Sequence, residues 1–250
     1  MTAYTACFDP LMRELDSWQA AGEVARFWLR DDDAVEPTPA LDRLLSITAT
    51  HGVPVTLAVI PEPTGPELAD RLADAPQAEV AVHGWAHVNH APPTQKKQEL
   101  GAHRPPGVVL TELRNGFEKL RALHGGRFVP MLVPPWNRID PVLIPHLGEA
   151  GFAALSVFGP EKPGDLPLVN THVDLIDWHG TRGGRNGAVL VAEIVMRLRA
   201  MHKSGPGVMG FLTHHLVHDE AAWDFFDGLL GETAAHPACR WVGAEALIPR

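Results

Sequence analysis

Glu79-Val80-Ala81-Val82-His83-Gly84-Trp85-Ala86-His87-Val88-Asn89-His90 reads as a short buried strand that runs directly into three histidines. Residues 79–82 carry the strand, and Gly84 lets the backbone turn sharply just after it. His83 then stands at the C-terminal end of a strand, which is where α/β folds place their chemistry. His83 and His87 are four residues apart. On one turn of helix that spacing points both rings at a single spot. Neutral imidazole is the commonest protein ligand for a borderline metal such as zinc. A histidine pair alone is more often a polar loop, so the metal reading depends on what ends the other strands.

The first of those is the strand at 24–29, which runs into Arg30-Asp31-Asp32-Asp33. Three consecutive carboxylates repel one another unless a cation or a shared proton offsets them. Their place after a buried strand points to a metal ligand beside a general base. A cation held by one carboxylate and two imidazoles keeps an open position for water. Zinc lowers the pKa of such a water towards ~7, so that a neighbouring carboxylate can take its proton. A strand at 130–133 ends in Pro134-Pro135-Trp136-Asn137, a rigid turn that could present the Trp136 N–H to an oxyanion. A strand at 208–212 ends in Thr213-His214-His215, where either histidine could protonate a leaving group.

Between these strands lie helical patterns. Leu11, Leu15 and Trp18 mark a helix over 10–21. Thr38 and Pro39 open one with Leu41, Leu44, Leu45 and Thr48 on its buried stripe. Leu68 and Leu72 mark a short helix, and Leu110, Leu113, Phe117 and Leu120 a longer one. Asp140-Pro141 is a cap-plus-proline helix start, with Gly151 past its end. Val191, Ile194, Leu198 and Met201 share one helical face; Trp223, Phe226, Leu229 and Leu230 share another, after a start at His218-Asp219. Further strands are expected at 53–60, 153–158, 168–176 and 240–242. The alternation implies an α/β fold: a distorted (β/α) barrel of seven or eight mainly parallel strands, one domain over 1–250. The polar stretch 84–107 reads as a long functional or mobile loop.

The 250 residues are 45% hydrophobic and 20% charged, enough for a full core and too apolar for disorder. A formal net charge of -9 disfavours nucleic acid and anionic membrane as partners. Cys7 and Cys239 make no disulfide framework. Residues 1–18 have no basic start and no apolar core of an export signal, and no run reaches the ~18 apolar residues of a membrane span. The expectation is a cytoplasmic protein; the oligomeric state is open. Residues 205–210 fit G-x-G-x-x-G but precede a strand instead of opening a helix, so no dinucleotide site is expected.

Taken together, these motifs resemble the polysaccharide deacetylases of carbohydrate esterase family 4, the NodB-homology superfamily. The resemblance implies a metal-dependent hydrolase, usually with zinc, that removes acetyl groups from N- or O-acetylated sugars. That family's first motif ends in a base followed by a metal ligand, which carries over to Asp32 and Asp33, or to Asp31 and Asp32 one residue earlier. Its H-x-x-x-H motif matches His83 and His87 as ligands. Its third motif, R-x-P-aromatic-G, is met here only by Pro135 and Trp136. The base-orienting arginine is absent, and Arg30 or Arg138 is the expected stand-in. Its last motif, L-x-H, makes His214 the acid, with His215 as second choice. Arg30, His90, Arg104, Pro135, Asn137 and His215 are the expected substrate contacts; Asp174, Asp177 and Trp178 are read either as lining the site or as structural. Two alternatives stay open: an amidase or imidase acting on a small non-peptide C–N substrate, and an inactive sugar-binding homologue.

Overall fold

The computed structural model describes residues 5–205 and 207–249. The first residues of the stretch read for an export signal, and Pro206 within the glycine pattern, lie outside them. In chain order the elements are α1 (Thr5–Ala20), β1 (Ala25–Ala34), α2 (Pro39–Thr50), β2 (Val55–Val59) and α3 (Pro66–Ala73). There follow β3 (Ala78–Val82), α4 (Pro106–His124), β4 (Phe128–Leu132), β5 (Ala154–Leu155) and β6 (Val173–Asp174). Last come α5 (Gly187–Ser204), β7 (Val208–Thr213), α6 (Glu220–Ala234) and β8 (Cys239–Trp241). The eight strands belong to one sheet, and the pairings of β1 with β7 and β8, β3 with β4, β4 with β5 and β6 with β7 are all parallel. The fold is the expected α/β class, a distorted (β/α) barrel. No helix among the described residues is long and apolar enough to cross a membrane.

The chain gathers into two compact units. The first holds the described residues up to Asp31, Pro39–Val55 and Thr171–Gly243. There β7 lies between β1 and β6, with Asp31 in register with Thr213, and β8 flanks β1. Its core is aromatic: Phe27, Phe211 and Trp241 meet in tilted and edge-on contacts with centroids 5.2 to 5.3 Å apart. Two of its helices, α5 and α6, begin where side chains satisfy orphan amides. Asn186 accepts from the N–H groups of Ala188 and Val189, and Asp219 from that of Ala222. Helix α1 starts earlier than its periodicity implies and carries Pro10 inside it. Phe8 extends the buried stripe of Leu11, Leu15 and Trp18 by one turn, and burying it offsets the hydrogen bond that proline removes.

The second unit holds Asp32–Thr38, Thr56–Asn170 and the residues from Ala244 on. Within it β3, β4 and β5 lie side by side, and Val109, Leu113, Phe117 and Leu120 of α4 are buried. Phe117 meets Phe128 and Phe152 edge-on at 4.9 and 5.2 Å. The Asp140-Pro141 start opens only a 3-10 helix, Pro141–His146. Pro145 inside it cannot donate to an α-helical ladder. Strands β5 and β6 are two residues each, shorter than their apolar runs, and Leu168 makes only an isolated bridge to Leu155. Strand β1 is longer than expected and contains the three aspartates instead of ending before them.

Candidate metal centre

The centre is built inside the second unit from two strand ends. Asp33 sits next to last in β1, and His83 directly follows β3. Nε2 of His83 lies 3.2 Å and Nε2 of His87 3.3 Å from the same oxygen, Oδ1 of Asp33. One ligand atom from each of the three falls within 4.8 Å of the others, so the arrangement could hold a metal ion. The histidines do not converge across a helical turn. Residues 83–90 form no helix, and Gly84 (φ 63°) and His87 (φ 56°) are both left-handed. The i, i+4 spacing therefore brings the rings together through a folded turn, because the amides of Trp85, Ala86 and Val88 bond to the Glu99 carboxylate instead of to a helical ladder.

The donor set, two imidazole nitrogens and a carboxylate oxygen, fits a metal cation. His83 Nδ1 is 2.9 Å from the Val133 carbonyl, which only accepts, so that nitrogen carries the proton. Its Nε2 is then the atom that faces the Asp33 carboxylate oxygen, as a donor when the ring is charged and as a lone pair toward a cation when it is neutral. Locking a ligating histidine through its second nitrogen is the usual outer support of such sites. Burial works against a charged His83, yet Asp32 and then Asp33 outweigh it and raise its pKa. Burial and the neighbouring His83 hold that of His87 down. Asp32 itself is almost fully buried.

Trp136 borders the centre: its ring packs on that of His87 at 4.3 Å. It sits in a 3-10 helix, Pro135–Asn137, in which Pro135 has no N–H and the Asn137 N–H bonds to the Pro134 carbonyl at 2.9 Å. The Lys97 ammonium lies 5.9 Å from the Trp136 ring centroid, and Arg138 donates to the Lys97 carbonyl at 2.8 Å. Among the described non-glycine residues, Asp33, His87, Trp136, Asn137 and Arg182 have positive φ. Four of these five belong to the turns that bear Asp33, His87 and Trp136. Such backbone costs ~1–3 kcal/mol per residue and clusters at functional sites.

The first unit holds a different constellation at the end of β7. Asp31 is fully buried and accepts from Thr213 Oγ1 at 2.7 Å, from the His215 N–H at 2.9 Å and from His215 Nδ1 at 2.5 Å. Burial pushes the Asp31 carboxyl up, but His215 and the Thr213 hydroxyl more than reverse this and leave its pKa lowered. His215 is 1% exposed and turned onto Asp31 through Nδ1. His214 meets the edge of Trp178 at 4.7 Å, and Trp178 Nε1 donates to Asp174 at 2.8 Å. That aromatic contact gives Trp178 a place beside the expected acid which residue types alone left open. Arg30 is wholly buried.

The remaining expected substrate contacts are placed as follows. Arg104 grips Glu112 through one nitrogen at 2.8 Å to both carboxylate oxygens, and reaches the Glu99 carbonyl at 3.3 Å. The His90 backbone N–H donates to the Gln98 carbonyl. Pro135 is packed where a side chain on Gly84 would otherwise go, and the Asn137 N–H closes the turn onto Pro134.

No family model matches the chain, and no curated protein does. Solved structures do. A provisionally assigned polysaccharide deacetylase from Mycobacterium smegmatis superposes with a TM-score of 0.68 at 20% identity, over 90% of this chain and 89% of that one. The Bc1960 peptidoglycan N-acetylglucosamine deacetylase does so at 0.62 and 17%, over 93% and 95%. A family 4 acetyl xylan esterase from Clostridium thermocellum, in complex with a cobalt ion, gives 0.53 and 15%, over 89% of each. The likeness is one of fold, and these neighbours are polysaccharide and peptidoglycan deacetylases and family 4 esterases, the group that the sequence motifs resemble.

Proposed function

We propose that this chain is a metal-dependent deacetylase of the family 4 carbohydrate esterase type, hydrolysing the acetamide of an N-acetylated sugar. The observation that carries the reading is the convergence of His83 Nε2 and His87 Nε2 on one Asp33 oxygen, with His83 locked through Nδ1. Asp33, His83 and His87 would hold the cation, and zinc suits one carboxylate with two imidazoles. A cation bound there supplies Lewis acidity. Asp32, buried and acting on His83 through its charge, is the base in this reading. The Trp136 N–H is the oxyanion donor, and His214, braced by Trp178, protonates the leaving amine. The names of the fold neighbours support a saccharide substrate.

The test is a panel of N-acetylated and O-acetylated sugars beside small amides and cyclic imides, with acetate or amine release as readout. Acetate release from an N-acetyl sugar, and loss of both metal and turnover in His83→Ala, are expected. Full metal occupancy in that variant would remove the ligand assignment. Turnover of the small amides or imides alone would move the substrate class away from sugars.

A further inference from the structure

We propose that Glu99 is a positioning residue for the metal centre: its buried carboxylate shapes the backbone of the turn that carries His83 and His87. Glu99 is 1% exposed. Its Oε2 accepts the Trp85 N–H at 3.1 Å, and its Oε1 accepts those of Ala86 at 2.8 Å and Val88 at 3.4 Å. Two of these amides lie between the histidines and the third directly follows His87. The turn needs such an acceptor. With Gly84 and His87 left-handed, the amides of 85, 86 and 88 have no ladder to join. Trp85 and Ala86 are half-buried, and an N–H withdrawn from water without an acceptor is costly. An ionised acceptor makes hydrogen bonds roughly twice as strong as a neutral one.

The carboxylate is also fixed from behind. A Cβ on Gly84 would lie 2.1 Å from Glu99 Oε2 and 2.6 Å from Pro135 Cγ, so the turn, the carboxylate and the Pro135-Trp136 corner interlock. Arg104 ties the Glu99 carbonyl to Glu112 on α4. The neighbouring Gln98 is held by Asn89 Oδ1 and by the His90 N–H, and Leu100 bridges to Ile139. The stretch from 89 to 104 thus clasps the ligand turn. Glu99 acts on the histidines through the backbone, as an outer support that sets ligand geometry.

This inference rests on Asp33, His83 and His87 being metal ligands, and the experiment separates the two. Cobalt(II) would be titrated into the metal-free whole protein as wild type, His83→Ala and Glu99→Gln, followed by calorimetry and by the visible cobalt bands. Wild type should bind, and His83→Ala should not. Glu99→Gln should bind about 10-fold or more weakly, with altered bands, in the range seen when outer supports of metal ligands are removed. Binding and bands equal to wild type in Glu99→Gln, with His83→Ala inert, would overturn the positioning role and leave the centre standing. No binding by wild type would overturn both. Should Glu99→Gln not fold, amide hydrogen exchange on metal-free wild type decides. Slow exchange at Ala86 supports the clasp, and exchange at the rate of an exposed amide refutes it.

Discussion

Asp31→Asn should cost stability while leaving metal binding intact. The Asp31 carboxylate is fully buried and receives three donors, the Thr213 hydroxyl and both the amide and Nδ1 of His215. Asparagine keeps one acceptor oxygen and replaces the other with an NH2 that faces a donor. Each buried donor so stranded costs about 1–3 kcal/mol. The Asp31–His215 pair is ionic when His215 is protonated, and removing one member of such a buried pair costs about 3–5 kcal/mol. We therefore expect a loss of about 3–5 kcal/mol by urea unfolding at pH 7, a large share of the ~5–15 kcal/mol that folded domains possess. The pH dependence has a definite sign. Folding lowers the Asp31 pKa from its ordinary 3.8, so the contribution is present above that value and fades as the pH falls through and below it. The gap between wild type and variant should stay level above about pH 5 and narrow below about pH 4. A variant within about 1 kcal/mol of wild type at pH 7 would refute the reasoning, since that falls below the cost of one stranded donor. A stable variant with abolished turnover would move the base from Asp32 to Asp31.

Gly84→Ala would push a Cβ against Glu99 Oε2 and Pro135 at a left-handed position; we expect about 2–4 kcal/mol lost in thermal or urea unfolding, from overpacking and backbone strain together, and a neutral result would show that the turn can relax. Burial, then Arg127, holds His124 down to about 4, so its neutral ring contributes stability that is complete above the unfolded value of 6.5 and lost as pH falls towards 4. Burial sets His218 likewise at about 4. Urea midpoints should fall between about pH 6.5 and pH 4.5, and His124→Leu should flatten that fall; an unchanged slope would contradict the assignment.

Strand-end chemistry was legible because it follows from local pattern. An apolar run followed by His83-Gly84, or by Pro134-Pro135-Trp136, marks a strand and its exit without any tertiary knowledge. What could not be read were partnerships across long stretches of chain. Glu99 stands 16 residues beyond His83 in a polar segment that resembled a mobile loop, and nothing in its own neighbourhood says that its carboxylate is buried. A signal was present in retrospect: Gly84 and the helix-incompatible turn leave amides that require an acceptor, and a lone acid in the following loop is a natural source. Arg104 was misleading for the same reason, because its partner Glu112 lies on the next helix. The helical reading of His83 and His87 used the correct spacing with the wrong backbone, since i, i+4 convergence is not unique to a helix.

The three aspartates show why register could not be settled from residue types. In a regular strand side chains alternate, so Asp31 and Asp33 would share a face and Asp32 would oppose them. Under that rule a base and a ligand on adjacent residues would point apart. The backbone breaks the rule at Asp33, whose φ of 73° leaves the extended region although β1 runs on to Ala34. Asp31 keeps its strand direction and is consumed by Thr213 and His215; Asp33 is redirected onto His83 and His87. Asp32 then remains as the buried carboxylate whose charge acts on His83. A left-handed aspartate costs ~1–3 kcal/mol, and its short polar side chain makes it one of the few residue types that tolerate the position. The proposed base, Asp32, stands or falls with the contrast between Asp31→Asn, which should unfold easily and keep its metal, and Asp32→Asn, which should stay folded and lose most of its rate.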